Sequence, residues 1–167
     1  MWVWDDCMNG FSIRCNVGCG RSIQIGLGAK ILSARFSNLF PEDLLKAIQR
    51  SRLIYRDGKW IEIMSSLKIR TASDVYNFVT QEGTIFVRRA SAKVGNSLIG
   101  HVDLAMGCEV DYAGRLYFSG RTTRGILRKW TNESGHYRPP ADARGNAGLP
   151  DEKFQSGQFR SLLSVEV

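Results

Sequence analysis

Proline, cysteine and histidine are scarce in this chain, with 4, 4 and 2 residues among 167. Each scarcity excludes something. Cys7, Cys15, Cys19 and Cys108 are too few and too unevenly spaced for a disulfide scaffold, so free thiols are expected. Cys15 and Cys19 offer half of a four-ligand zinc site and no second pair completes it, so no metal is expected as a cofactor. Long apolar runs are missing too: the longest stretch without Asp, Glu, Lys or Arg is Val94–Val102, nine residues. A membrane-crossing helix needs about 20 apolar residues, so no membrane partner is expected. The opening MWVWDDCMNG places acids after apolar residues, the reverse of a Sec signal. The expectation is cytoplasmic synthesis, with any secretion by a signal-independent route.

What the chain does have is positive charge. Lys and Arg number 23 against 16 Asp and Glu, giving a formal net charge of +7 and a pI near 9.5. With 43% hydrophobic and 23% charged residues, the composition is that of an ordinary single globular domain. Residues 1–38 form a glycine-rich lead-in without clear periodicity; Gly26-Leu27-Gly28 lacks the third glycine and strand-to-helix setting of a phosphate loop. A domain is expected over 39–167. Pro41, with Glu42 and Asp43 ahead of Leu44, Leu45 and Ile48, predicts a helix from Pro41 to Ser51. Leu53-Ile54-Tyr55, Asp57-Gly58 and Trp60–Met64 predict a hairpin.

Further along, Ser73–Val79 is open between a capped helix and a strand, and Thr84–Val87 reads as a strand. Val110–Phe118 and Ile126–Thr131 predict a second hairpin joined across Gly120–Gly125. Residues 139–150 read as an extended loop, followed by a short helix at Glu152–Leu163 and an edge strand at Val165–Val167. The class expected is therefore α+β, with a mainly antiparallel sheet and two or three short helices.

Two constellations carry candidate chemistry. Tyr112–Asn132 holds Arg115, Arg121, Arg124, Arg128 and Lys129 without one acid, a run that projects guanidinium groups toward a phosphate-bearing polyanion such as nucleic acid. The two histidines, His101 and His136, lie in polar, glycine-containing segments, where a pair can share the proton transfers of metal-independent phosphodiester cleavage. In that reading Asp103 orients His101, and Arg138 or Arg115 stabilises the charge growing on phosphorus. Leu53-Ile54-Tyr55-Arg56 also resembles the arginine-ending strand of arginine-serine-glutamate ADP-ribosyltransferases. That resemblance implies Arg56 on an NAD cofactor, with a serine near Ser73 or Ser91 and a glutamate at Glu152 or Glu166.

A broader pattern covers about residues 53–167: GHVDLAMG, AGRLYF and TNESGHYRPP, in that order. It resembles the C-terminal region of plant IQ-motif calmodulin-binding proteins and their fungal and bacterial relatives, where H-S-S-F-L-A-G, A-A-G-R-L and S-G-H-Y-R-P follow one another. Ser134–Pro139 and Ala113–Leu116 match the last two motifs; at the first, Val102-Asp103 replace two serines. Ile48-Gln49-Arg50 lacks the spaced arginines of a calmodulin-binding helix, so calmodulin is not an implied partner. The resemblance implies a bacterial effector-like or toxin-like virulence module, with His101, His136, Tyr137 and Arg138 in its motif-bearing part. The expected function is action on RNA or another phosphate-bearing substrate, with a host or cognate inhibitor protein as a further partner. A non-catalytic interaction domain and an NAD-dependent transferase stand as alternatives.

Overall fold

The computed structural model describes residues 34–157, which fall in one compact unit. The Cys15–Cys19 pair, the Gly26–Gly28 fragment, Glu166 and the expected strand at Val165–Val167 lie outside them. In chain order the strands are β1 (Ser51–Arg56), β2 (Lys59–Ile63), β3 (Ile69–Thr71), β4 (Val75–Gln81), β5 (Thr84–Arg89), β6 (Lys93–Val94), β7 (Ser97–Leu98), β8 (Tyr112–Phe118) and β9 (Leu127–Thr131). One helical turn, α1 (His101–Leu104), lies between β7 and β8. Seven strands form one antiparallel sheet in the order β3-β2-β1-β5-β4-β8-β9. The mainly antiparallel sheet is as expected. Helix is limited among the described residues to α1 and to 3-10 segments at Ala141–Ala147 and Asp151–Lys153, so the architecture is predominantly β.

Local chemistry explains the sheet's first half. Asp57 and Gly58 take φ values of 53° and 77°, the positive pair of a two-residue turn whose twist matches its strands, which sets Tyr55 opposite Trp60. Glu82-Gly83 does the same between β4 and β5, with φ of 52° and 74°. Ser73–Val79 resolves as the approach to β4, because the central strand buries Tyr76, Asn77, Phe78 and Val79 on both faces.

Alternation sorts the side chains into two cores. Leu53, Trp60, Tyr76, Phe78, Val87, Tyr112, Leu116, Phe118, Leu127 and Trp130 occupy one face, and Val79 and Ala113 meet Leu104, Ala105, Val110 and Tyr137 on the other. The two ends of the sheet join at Gly125: its N–H donates to Ala72 O at 2.7 Å and its carbonyl accepts from the Trp60 N–H at 2.9 Å. Only glycine fits there, because φ is +86° and a Cβ would lie 2.7 Å from Thr71 Cγ2 and 2.9 Å from Lys59 Cβ. Residues 140–154 plug one end of this closed sheet. Tyr112 Oη donates to Pro140 O (3.0 Å), Thr80 Oγ1 to Ala147 O (2.9 Å) and Trp130 Nε1 to Pro150 O (2.7 Å). Two residues beyond Trp60 on β2, fully buried Glu62 accepts from Arg70 Nε (2.6 Å) and Tyr76 Oη (2.8 Å). Burial alone would raise the Glu62 pKa, but hydrogen bonds from Arg70, Tyr76 and Ser51 and the Arg70 charge hold it below the usual value.

Several expectations are corrected. The helix expected at Pro41–Ser51 does not form: Pro41, Glu42 and Asp43 make one turn, closed by Asp43 N–H to Phe40 O at 3.2 Å, and the chain then runs as an irregular strap. Tertiary bonds win over local propensity along this strap, since a short isolated helix is marginal. Lys46 N–H donates to Asp103 Oδ1 (2.8 Å), and the Arg50 guanidinium lies 3.6 Å over the Phe86 ring while donating to Gln81 Oε1 and Leu104 O. Residues 34–38, assigned to the lead-in by composition, include Phe36, which pairs with Val110. The helix expected at Glu152–Leu163 is, within the described residues, the short 3-10 segment at Asp151–Lys153, after which Phe154 bridges to Trp130. The loop expected at 139–150 contains the 3-10 segment at Ala141–Ala147.

Candidate nucleic-acid interface

The two histidines have different environments, and neither matches a free acid–base pair. His101 opens α1 facing the sheet, 7% exposed, and its Nε2–H donates to Gly114 O at 2.8 Å. Burial pushes its pKa down to about 4, helped by the charges of Arg115 and His136 and opposed by the bond to Gly114. A neutral, sealed imidazole with its Nε2 proton committed to a backbone carbonyl is a structural group. Asp103 does not orient it: the carboxylate accepts from Gly100 N–H (2.7 Å), Lys46 N–H (2.8 Å) and Lys46 Nζ (3.4 Å), tying the strap to α1. His136 is half-buried, with Nε2 2.8 Å from Asp43 Oδ2 and its ring edge-on to Phe40.

The motif-bearing segments do converge. His101 touches Gly114 of the AGRL segment, and Leu39 N–H donates to His136 O at 2.8 Å beneath the strap. Tyr137 is buried and donates to Cys108 O at 2.8 Å, with burial pushing its phenol pKa up. Its hydroxyl anchors the Ser134–Pro139 turn to the segment after α1. Arg138 leaves that turn at φ 41°, donates to Gly135 O at 3.2 Å and lies 5.8 Å from the Phe40 ring centroid. Arg115 lies 4.0 Å from Glu133, on the face of β8 that it shares with Ala113.

The arginines of the β8–β9 connection are placed differently. Arg121, Arg124 and Arg128 are exposed and have no carboxylate partner among the described residues. Gly125 pins this connection against Lys59, which is also exposed, and Arg56 stands directly across the turn from Lys59. Arg56 itself pairs with Asp57 at 3.6 Å. Of the candidate transferase serines, Ser91 follows β5 at the sheet end where β1 starts, away from Arg56, whereas Ser73 follows Ala72, whose N–H donates to Trp60 O at 3.0 Å beside the β1–β2 turn. Ser73 Oγ accepts from Arg89. Among the described residues Arg56 makes no hydrogen bond or ion pair with Ser73, Ser91 or Glu152.

Beside the basic connection lies a cleft of about 420 Å³, with Tyr55, Trp60, Ile126 and Leu127 on its apolar side and Gly148, Pro150, Glu152 and Lys153 on the plug side. A second cleft of about 390 Å³ shares Tyr55, Trp60 and Gly148 and adds Arg52, Leu53, Thr84 and Ile85. Tyr55 is 62% exposed, its ring tilted on Trp60 at a centroid distance of 5.3 Å. Sequence reasoning missed Tyr55, Trp60, Arg52, Lys59 and Lys153. The signal for the first two was available: the Asp57-Gly58 turn pairs Tyr55 with Trp60 on one face at the strand ends. Lys153 carried no such signal, because its placement depends on how the plug docks.

No group of three or more His, Cys, Asp or Glu side chains suited to a metal occurs among the described residues. No helix among them is long and apolar enough to cross a membrane. No family model matches the chain, and neither a curated protein nor a solved structure matches it.

Proposed function

We propose that the chain binds RNA or another phosphate-bearing chain along the seam where Gly120–Gly125 meets the β1–β2 turn. The observation that carries this reading is the set of exposed arginines without acid partners, Arg121, Arg124 and Arg128, beside an open aromatic cleft. A guanidinium not neutralised internally keeps its donors for phosphate, and the net charge of +7 raises the encounter rate with a polyanion. Cleavage by a His101–His136 pair forms no part of the reading, because His101 is sealed and neutral.

The test is fluorescence anisotropy of a labelled RNA across a salt series in chelator. Wild-type protein should lose affinity steeply with salt, and Arg121→Gln with Arg124→Gln should flatten the logarithmic slope by about 0.7 for each single-strand phosphate contact removed. A slope unaffected by the paired substitution would overturn the reading. It would favour the interaction-domain alternative, whose surface would be the strap, where Leu39, Phe40, Leu44 and Leu45 are exposed.

A further inference from the structure

We infer that the bound chain is a single strand, and that two successive nucleotides straddle Tyr55, one base in each of the adjoining clefts. The inference rests on the polyanion reading above and names the form that polyanion takes. Tyr55, Trp60 and Gly148 line both clefts, and of the three only Tyr55 presents a largely exposed aromatic ring, with Trp60, 7% exposed, packed against it from the core. Volumes of about 420 and 390 Å³ place each cleft in the range of small-ligand sites.

The charges fit a chain passing from one cleft to the other. Arg52 lines the second cleft, where no acid is among the lining residues, and has no carboxylate partner among the described residues. Lys153 lines the first, beside Glu152, with Lys59 and Arg124 flanking the wall formed by Gly58 and Gly125. Phosphates can therefore be met at both clefts. A base has a π-face whatever its identity, so stacking on Tyr55 calls for unpaired bases more than for any particular sequence. Parting two neighbouring bases around an aromatic ring requires about twice the ~3.4 Å strand rise of a duplex. A single strand extends to that spacing freely, whereas a duplex must unstack.

The experiment uses the full chain with labelled octauridylate, a duplex RNA of the same length and mononucleotide as competitor. The single strand should bind at least tenfold more tightly than the duplex at equal salt, and mononucleotide should compete poorly. Tyr55→Ala should weaken single-strand binding by about tenfold or more while leaving the salt slope unchanged, and Tyr55→Phe should restore it. Tyr55 is exposed, so neither change removes a core residue; circular dichroism confirms the fold. Equal single-strand and duplex binding, or indifference to Tyr55→Ala, with steep salt dependence retained, would overturn this inference and leave the polyanion reading standing. Failure to bind either RNA would overturn both.

Discussion

Stability should fall between pH 7 and pH 5, and His101 should be responsible. In the unfolded chain a histidine titrates near 6.5, whereas in the fold burial pushes His101 to about 4. The unfolded state therefore binds a proton that the folded state refuses, so the stabilisation from keeping His101 neutral is complete above the unfolded value and is lost as pH falls toward 4. Each unit of separation is worth about 1.4 kcal/mol, giving about 3 kcal/mol over the whole window and about 2 kcal/mol between pH 7 and pH 5. The assay is urea denaturation at both pH values on wild type and His101→Gln, a side chain able to donate to Gly114 O without titrating. Titrating groups that do not interact with His101 cancel in the difference between the two proteins. The substitution should lower stability at pH 7 yet remove about 2 kcal/mol of the pH dependence. An unchanged pH dependence in His101→Gln would show that the imidazole is not sealed, and would return His101 to consideration as an acid–base group.

Other consequences follow from particular contacts. Glu62→Gln should remove part of the stability loss at lower pH, because the lowered folded pKa of Glu62 makes its contribution full above the unfolded carboxylate value and lost as pH falls through the folded one; acid titration followed by tryptophan fluorescence measures this. Gly125→Ala should destabilise by about 1–3 kcal/mol through positive φ and the approach of Thr71 and Lys59, with faster amide exchange at Trp60, whose N–H donates to Gly125 O. Gly114→Ala should be worse, since a Cβ there overlaps the Thr131 carbonyl oxygen; loss of cooperative unfolding is the expected readout. Trp130→Phe should cost about 1 kcal/mol for the bond to Pro150 O and loosen the plug, measurable by proteolysis after Lys153.

The hairpins were legible in the sequence because their determinants are local. Asp57-Gly58 marks the first, and the run from Val110 to Thr131 is broken by glycines where β8 and β9 part. The strap was not legible: Pro41-Glu42-Asp43 carries a helix-start pattern, but Lys46 and Arg50 find partners on α1, β4 and β5 that local pattern cannot reveal. His101 and His136 do lie where the motif-bearing segments meet, yet a histidine's chemistry depends on burial, and Gly114 O is supplied by a different element. The arginine-rich connection was legible as charge; the clefts beside it were not, since they arise only when the sheet closes and residues 140–154 dock.

The strap also bears on the order in which the chain becomes ordered. Its partners lie far downstream: Lys46 meets Asp103 across 57 positions, and Asp43 meets His136 across 93. The hairpins need only neighbours a few residues away, so they can form while the strap still has nothing to hold. During synthesis the segment around Asp43 leaves the ribosome before β1 but waits until His136 has followed, and Ile48 waits with it for the core it finally packs against. The part of the described chain made earliest is thus among the last to be fastened, and slowed translation before His136 would prolong the interval in which that apolar segment is open to chaperones.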